Sequence, residues 1–222
     1  MTINFESHIR EAVPHFRMLL VTANVINAPT NDKLWAELQE LAEYIRTEYQ
    51  LADINSRPAI AATRAAYKAC GKDPNRYRPS SEALCRRIVK GMELYRSLSI
   101  IDLINLISVE SGHSIGGFDA DKIEGNTLTL GIGREGEPYE AIGRGELNIA
   151  GLPVYRDAVG GIGTPTSDNE RTKLTPETTR LLMTVNIYDP TASIDQVTAA
   201  TKRLLTDYAS ATEILIRPIS IV

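Results

Sequence analysis

The sequence predicts an α+β domain in which helices pack on a central mixed or antiparallel sheet, and three observations carry that prediction. Residues 31–111 hold apolar side chains at helical spacing in four successive segments. Residues 127–156 switch to short alternating segments separated by glycines. Residues 180–222 then read as a strand, a capped helix and a last strand. With 222 residues, 43% of them hydrophobic, one domain with a sizeable core is expected. It divides into a strand-and-helix extension over 1–56, a motif-bearing core over 57–190 and a closing helix and edge strand over 191–222.

Phe16 to Ile26 is β-branched and apolar enough for a buried strand. Leu34, Trp35, Leu38, Leu41, Ala42, Ile45 and Tyr49 mark an amphipathic helix over Asn31–Tyr49. Arg57–Cys70 is an alanine-rich helix with Ser56 as its expected cap and Gly71 as its stop. Glu82–Lys90 follows, its Arg86, Arg87 and Lys90 outward on a solvated face. Ser99–Ser111 is apolar almost all round, and Ser99 with Asp102 has the spacing of a capping box before Gly112 stops it. Thr127–Ile132, Tyr139–Ile142 and Leu152–Arg156 are short strands, and Val159–Arg171 is a polar loop. Arg180–Tyr188 is a strand, Ser193 with Gln196 caps the helix to Tyr208, and Pro218 places the final strand, Glu213–Val222, at an edge.

Composition excludes several functions. No apolar run reaches the eighteen or so residues of a membrane span, and the acidic start MTINFESHIREAV is not a signal peptide, so a cytoplasmic protein is expected. Cys70 and Cys85 form no metal motif, the three histidines are scattered, and no metal or organic cofactor is implied. A net charge of −4 argues against nonspecific coating of nucleic acid. Charge is nevertheless uneven: residues 68–96 hold eight Lys or Arg against three Asp or Glu, a local excess of +5 that allows a phosphate contact.

Two letter patterns fail on context. Gly112, Ser114 and Gly116 match G-x-S-x-G, but a helix precedes the serine and no histidine follows His113. Gly131, Gly133 and Gly136 match G-x-G-x-x-G, but Pro138 follows where a helix is needed. The informative polar residues lie elsewhere. Asp102, Asn105 and Ser108 form the only polar stripe of an apolar helix, either as a solvated face or as the wall of a pocket in which Asn105 meets a ligand. Arg76, Tyr77 and Arg78, between two prolines, suit an anionic or planar group, with an ordinary solvated loop as the alternative.

The blocks KDPNRYRPSSEALCRRIVKG, DLINLISVESGHSIGGFD and DNERTKLTPET together resemble the B3/B4 domain of the bacterial phenylalanyl-tRNA synthetase beta subunit, and more closely the free-standing proteins built from that domain. The resemblance spans about Arg57 to Asp189. It implies an α+β domain with a central pocket, tRNA or aminoacyl-tRNA as partner, and hydrolysis of the ester of a mischarged tRNA. The family's Thr-Asn pair becomes Ile104-Asn105 here, and its His-Ala-Phe-Asp becomes Gly116-Gly117-Phe118-Asp119.

The expected roles follow. Asn105 anchors the aminoacyl group, backbone N–H groups of Gly116 and Gly117 shape the oxyanion site, and Asp168 or Glu170 positions water. Arg76, Tyr77 and Arg78 contact the terminal adenosine or its phosphates, with Ser114 and Asp119 as further substrate contacts. The alternative is a non-catalytic module that binds an amino acid, tRNA or a small metabolite. The residues leave the oligomeric state open.

Overall fold

The computed structural model describes residues 1–221. The strand β2 (Arg17–Asn24) shows how the molecule is layered. Both its neighbours run antiparallel to it, yet it is apolar along nearly its whole length, because alternate side chains enter two different cores. Met18 and Leu20 face one core, Leu19 and Val21 the other. A strand buried on both faces loses the polar alternation of a half-solvated one.

This sheet is the middle of three layers. Its order is β10 (Thr212–Ser220), β2, β9 (Arg180–Ile187) and β3 (Ser114–Asp119), antiparallel throughout. Over one face pack α2 (Asp32–Glu48), α4 (Ser80–Val89), α5 (Ser99–Ser111) and α6 (Ile194–Tyr208). Behind the other lies a second sheet of β1 (Thr2–Phe5), β4 (Thr127–Ile132), β7 (Pro153–Arg156) and β8 (Gly161–Gly163), with β1 parallel to β4. Phe118, Leu128, Leu130, Tyr155 and Ile162 fill the space between the sheets. The helix α1 (Ser7–Ala12) supports that layer, α3 (Pro58–Ala69) runs along its border, and β5 (Glu140–Ala141) and β6 (Gly145–Glu146) make a small hairpin.

The α+β class holds, with helices packed on a central antiparallel sheet, and a second, mixed sheet is stacked behind it. The middle strands Thr127–Ile132 and Pro153–Arg156 belong to the rear sheet, and β8 lies inside the segment expected to be a loop. The extended start β1 and helix α1 were not anticipated. The expected last strand is present at the sheet edge through Ser220, with Pro218 in it, and Val222 lies outside the described residues.

Side-chain caps open two of the six α-helices among the described residues. Asn31 accepts from the N–H of Leu34 at 2.9 Å and Ser193 from that of Gln196 at 3.3 Å, each satisfying a donor that has no partner within its helix. Two expected caps differ. The N-cap of α3 is Arg57, while Ser56 donates to Asp53 O within a short 3₁₀ turn. The N-cap of α5 is Leu98, and the carboxylate of Asp102 instead takes the N–H of Ser97 and the hydroxyl of Thr30 at 2.9 and 2.6 Å. Asp102 so ties the helix to the loop before it. At the other end Gly112 adopts φ 78°, and the Arg57 guanidinium donates to Val109 O and Glu110 O at 2.9 Å each.

Candidate functional site

The polar stripe of α5 is not solvated. Asp102 and Ser108 are buried, and Ser108 donates to His113 O at 2.8 Å to hold the turn into β3. Ile101, Ile104, Asn105 and Ser108 share one side of the helix because positions three and four apart lie on the same face. That side borders a cavity of about 230 Å3. Ile115 and Gly117 of β3 form its second wall, Ser80 and Leu84 of α4 its third, and Ile142, Asp168, Lys173 and Leu174 its fourth.

Glycine at 117 keeps the space open. A Cβ there would stand 2.5 Å from Ile104 Cδ1 and 3.1 Å from Leu174 Cδ1. Its backbone N–H donates to Asp168 Oδ2 at 3.0 Å across the edge of the sheet. The Asp168 backbone is in turn fixed by bridge pairing with Gly163 and by accepting from Ile142 N at 3.1 Å. Burial pushes the Asp168 carboxyl up to about 7, against the smaller lowering effect of the Gly117 N–H. At neutral pH it exists in both protonation states, which suits a group that takes and returns a proton.

Asn105 is half-buried, and among the described residues its amide has no hydrogen-bond partner within the protein. Lys173 also lines the cavity, and its ammonium is paired with Glu170. The lining is otherwise aliphatic. One carboxylate, one amide and one lysine therefore line a mostly apolar cavity, where polar interactions are stronger than in water. Among the described residues no cluster of three or more His, Cys, Asp or Glu could hold a metal ion.

Of the residues singled out in the sequence, the fold brings Ile104, Asn105, Ser108, Gly117 and Asp168 together around this cavity. The other expected site residues lie outside it. Gly116 pairs with Thr184 in the ladder and faces the space between the sheets, where a Cβ would stand 2.6 Å from Phe118 Cζ. The expected pair of backbone donors also fails at Gly117, whose N–H is already held by Asp168. Glu170 reaches the site only through Lys173. Ser114 is fully buried with its Oγ 3.3 Å from that of Ser81. Asp119 accepts from Thr178 Oγ1 at 3.0 Å and from Asp121 N at 3.1 Å, which closes the end of β3.

Arg76, Tyr77 and Arg78 do not line the cavity either. The ring of Tyr77 packs 3.6 Å from Lys72 Nζ, and Arg76 is exposed. Arg78 lies 3.8 Å from Glu82. Lys173, Ser80 and Ile142 line the cavity and were not singled out in advance, although Ser80 lies in the first sequence block and Lys173 in the third.

The protein is an α+β domain with a largely apolar pocket, lined by one carboxylate, at a sheet edge. The B3/4 domain family model matches residues 62–213, and the chain belongs to that family. Among solved structures, an N-terminal fragment of the phenylalanyl-tRNA synthetase beta-subunit from Pyrococcus horikoshii is similar at 14% identity and a TM-score of 0.42. The match covers 92% of this chain and 47% of that fragment, so this chain spans about half the fragment's length. No curated protein matches. No helix among the described residues is long and apolar enough to cross a membrane.

Proposed function

We propose that the protein hydrolyses the ester of aminoacyl-tRNA as a stand-alone editing domain. The observation that carries this reading is the convergence of Asp168, with its carboxyl near pKa 7, and the unpartnered Asn105 amide on one largely apolar cavity. The aminoacyl side chain lies against Ile104, Ile115 and Leu174. Asp168 takes a proton from a water molecule as its oxygen bonds to the ester carbonyl carbon. Asn105 Nδ2 and the Lys173 ammonium face the oxygen on which negative charge develops. The C–O bond to the ribose then breaks, and the proton passes from Asp168 to the departing ribose oxygen. Family membership supports tRNA as the carrier.

The test is deacylation of a panel of mischarged tRNAs by the purified protein. A folded sample that leaves every ester intact would sink the reading.

One observation favours a binding module instead: Asp168 and Lys173, on the same wall, complement the ammonium and carboxylate of a free amino acid. Thermal stabilisation by amino acids, with no ester cleaved, would select that reading.

A further inference from the structure

The helix α4 borders the cavity on one side and carries a strip of cations on another. Ser80 and Leu84 line the cavity. Arg78, Arg86, Arg87 and Lys90, together with Ala83 and the exposed Met92, surround an open groove of about 200 Å3. Basic residues in the last turn of a helix complement its dipole, which accounts for one or two of these charges. It does not account for Arg78, which lies before the first turn of α4 and is half exposed.

The strip is also organised. Glu82, buried beneath it, binds Arg64 at 2.8 Å and lies 3.8 Å from both Arg78 and Arg86. Arg86 donates to Leu51 O and Arg87 to Glu93 O, at 3.2 and 2.7 Å. The Arg87 guanidinium rests 4.4 Å from the ring centre of Tyr95, which is 77% exposed. A large aromatic left in water beside fixed cations is the composition of a surface that holds phosphates and stacks bases.

We infer that this strip docks the single-stranded end of an RNA whose esterified terminus enters the cavity, an inference that rests on the hydrolase reading. Charge complementarity, the exposed Tyr95 ring and direct continuity with the cavity wall support that occupant. From Ser80 to Lys90 the helix rises about 15 Å, so consecutive phosphates of one strand lie along it while the chain end reaches Ser80. Arg78, Arg86, Arg87 and Lys90 contact phosphates, and Tyr95 stacks a base.

Binding of uncharged tRNA, followed by fluorescence anisotropy across a salt series, tests the docking without any hydrolysis. Arg87→Gln combined with Lys90→Gln should weaken binding about tenfold or more at low salt. It should also flatten the salt slope by about 1.4, the sum for two single-strand phosphate contacts. Tyr95→Ala should weaken binding about fivefold or more with the slope unchanged, as expected for stacking. Lys202→Gln on α6 serves as the control, and circular dichroism checks the fold of every variant. Equal losses at Lys202 and on α4, or wild-type binding by the α4 variants, would overturn the surface. So would unchanged affinity for a tRNA trimmed of its single-stranded end. A wild-type protein that binds through α4 yet cleaves no ester keeps the surface and removes the hydrolase reading.

Discussion

The two faces of the middle sheet are both apolar, and only one of them is filled. Between the sheets, the ring of Phe118 lies over Gly116, and the packing there leaves no room for a Cβ. On the helical face, Ile104 and Leu174 approach Gly117 from two sides, and the cavity remains between α5 and the 168–174 segment. Adjacent residues of the same type thus serve opposite ends. Gly116 allows close packing, whereas Gly117 maintains an opening and offers its N–H to a carboxylate. In a β-strand, where successive side chains face opposite ways, a core position and a site position can be neighbours in sequence.

The strongest way to break this contrast is at Asp168. Asp168→Asn should lower deacylation about 10²- to 10⁴-fold, the range expected when a general base is lost, as measured under single-turnover conditions. With wild type, the rate should rise with pH and level off above about 7, as the carboxylate form becomes dominant.

The same substitution should raise stability with a definite pH dependence. The Asp168 carboxyl is near 3.8 when unperturbed and is raised to about 7 in the folded protein, so its ionisation opposes folding progressively between those values. The Asn variant should therefore gain more in melting temperature at pH 8 than at pH 5.

The glycines come next. Gly116→Ala forces Cβ against the Phe118 ring and Thr184 Oγ1, at 2.6 and 2.9 Å, and should cost about 1–3 kcal/mol in urea denaturation. Gly117→Ala meets the far end of a flexible isoleucine, so its stability change should stay below about 1 kcal/mol. Its deacylation of bulky aminoacyl esters should nevertheless fall about tenfold, a loss in the range set by one methyl-sized change in a pocket. If the two glycine variants exchanged these effects, the assignment of faces would be reversed.

Asn105→Ala should cut deacylation by a smaller factor than Asp168→Asn and leave stability within about 0.5 kcal/mol. The amide has no internal partner to lose, and alanine favours the helix. The smallest effect on deacylation is expected at Ser114→Ala. It loses one long hydroxyl contact to Ser81 and should alter stability by about 1 kcal/mol, with deacylation unchanged.

Much of the fold was legible because periodicity and caps are local. Apolar spacing announced α2, Ser193 with Gln196 announced α6, and β9 read as a strand from composition alone. The layering was not legible. β1 pairs with β4 in a register that joins Thr2 to Thr127, and four residues carry no pattern that could reveal so distant a partner. At the site, the α5 stripe and the sequence blocks drew attention to Asn105, Gly117 and Asp168. Ile142 had no such signal, because its place on the wall depends on segments far apart in the chain, and Ser80, though inside the first block, carried no distinguishing chemistry there. The Arg76–Arg78 loop shows the opposite limit. Its chemistry suits a ligand, but the fold places it away from the cavity, with Tyr77 over Lys72 and Arg78 beside Glu82.

The helix that bears Asn105 is held at both ends, by Asp102 on the preceding loop and by Arg57 on its last carbonyls. A wall fixed in this way works as a sieve, not as an adaptable grip. Groups too large for the cavity are turned away by overlap with a wall whose helix backbone is fixed at both ends. Groups that are merely too small are discriminated against by only about 1–3 kcal/mol per missing methylene. Selectivity at this cavity should therefore be a sharp upper limit on size with a shallow lower one.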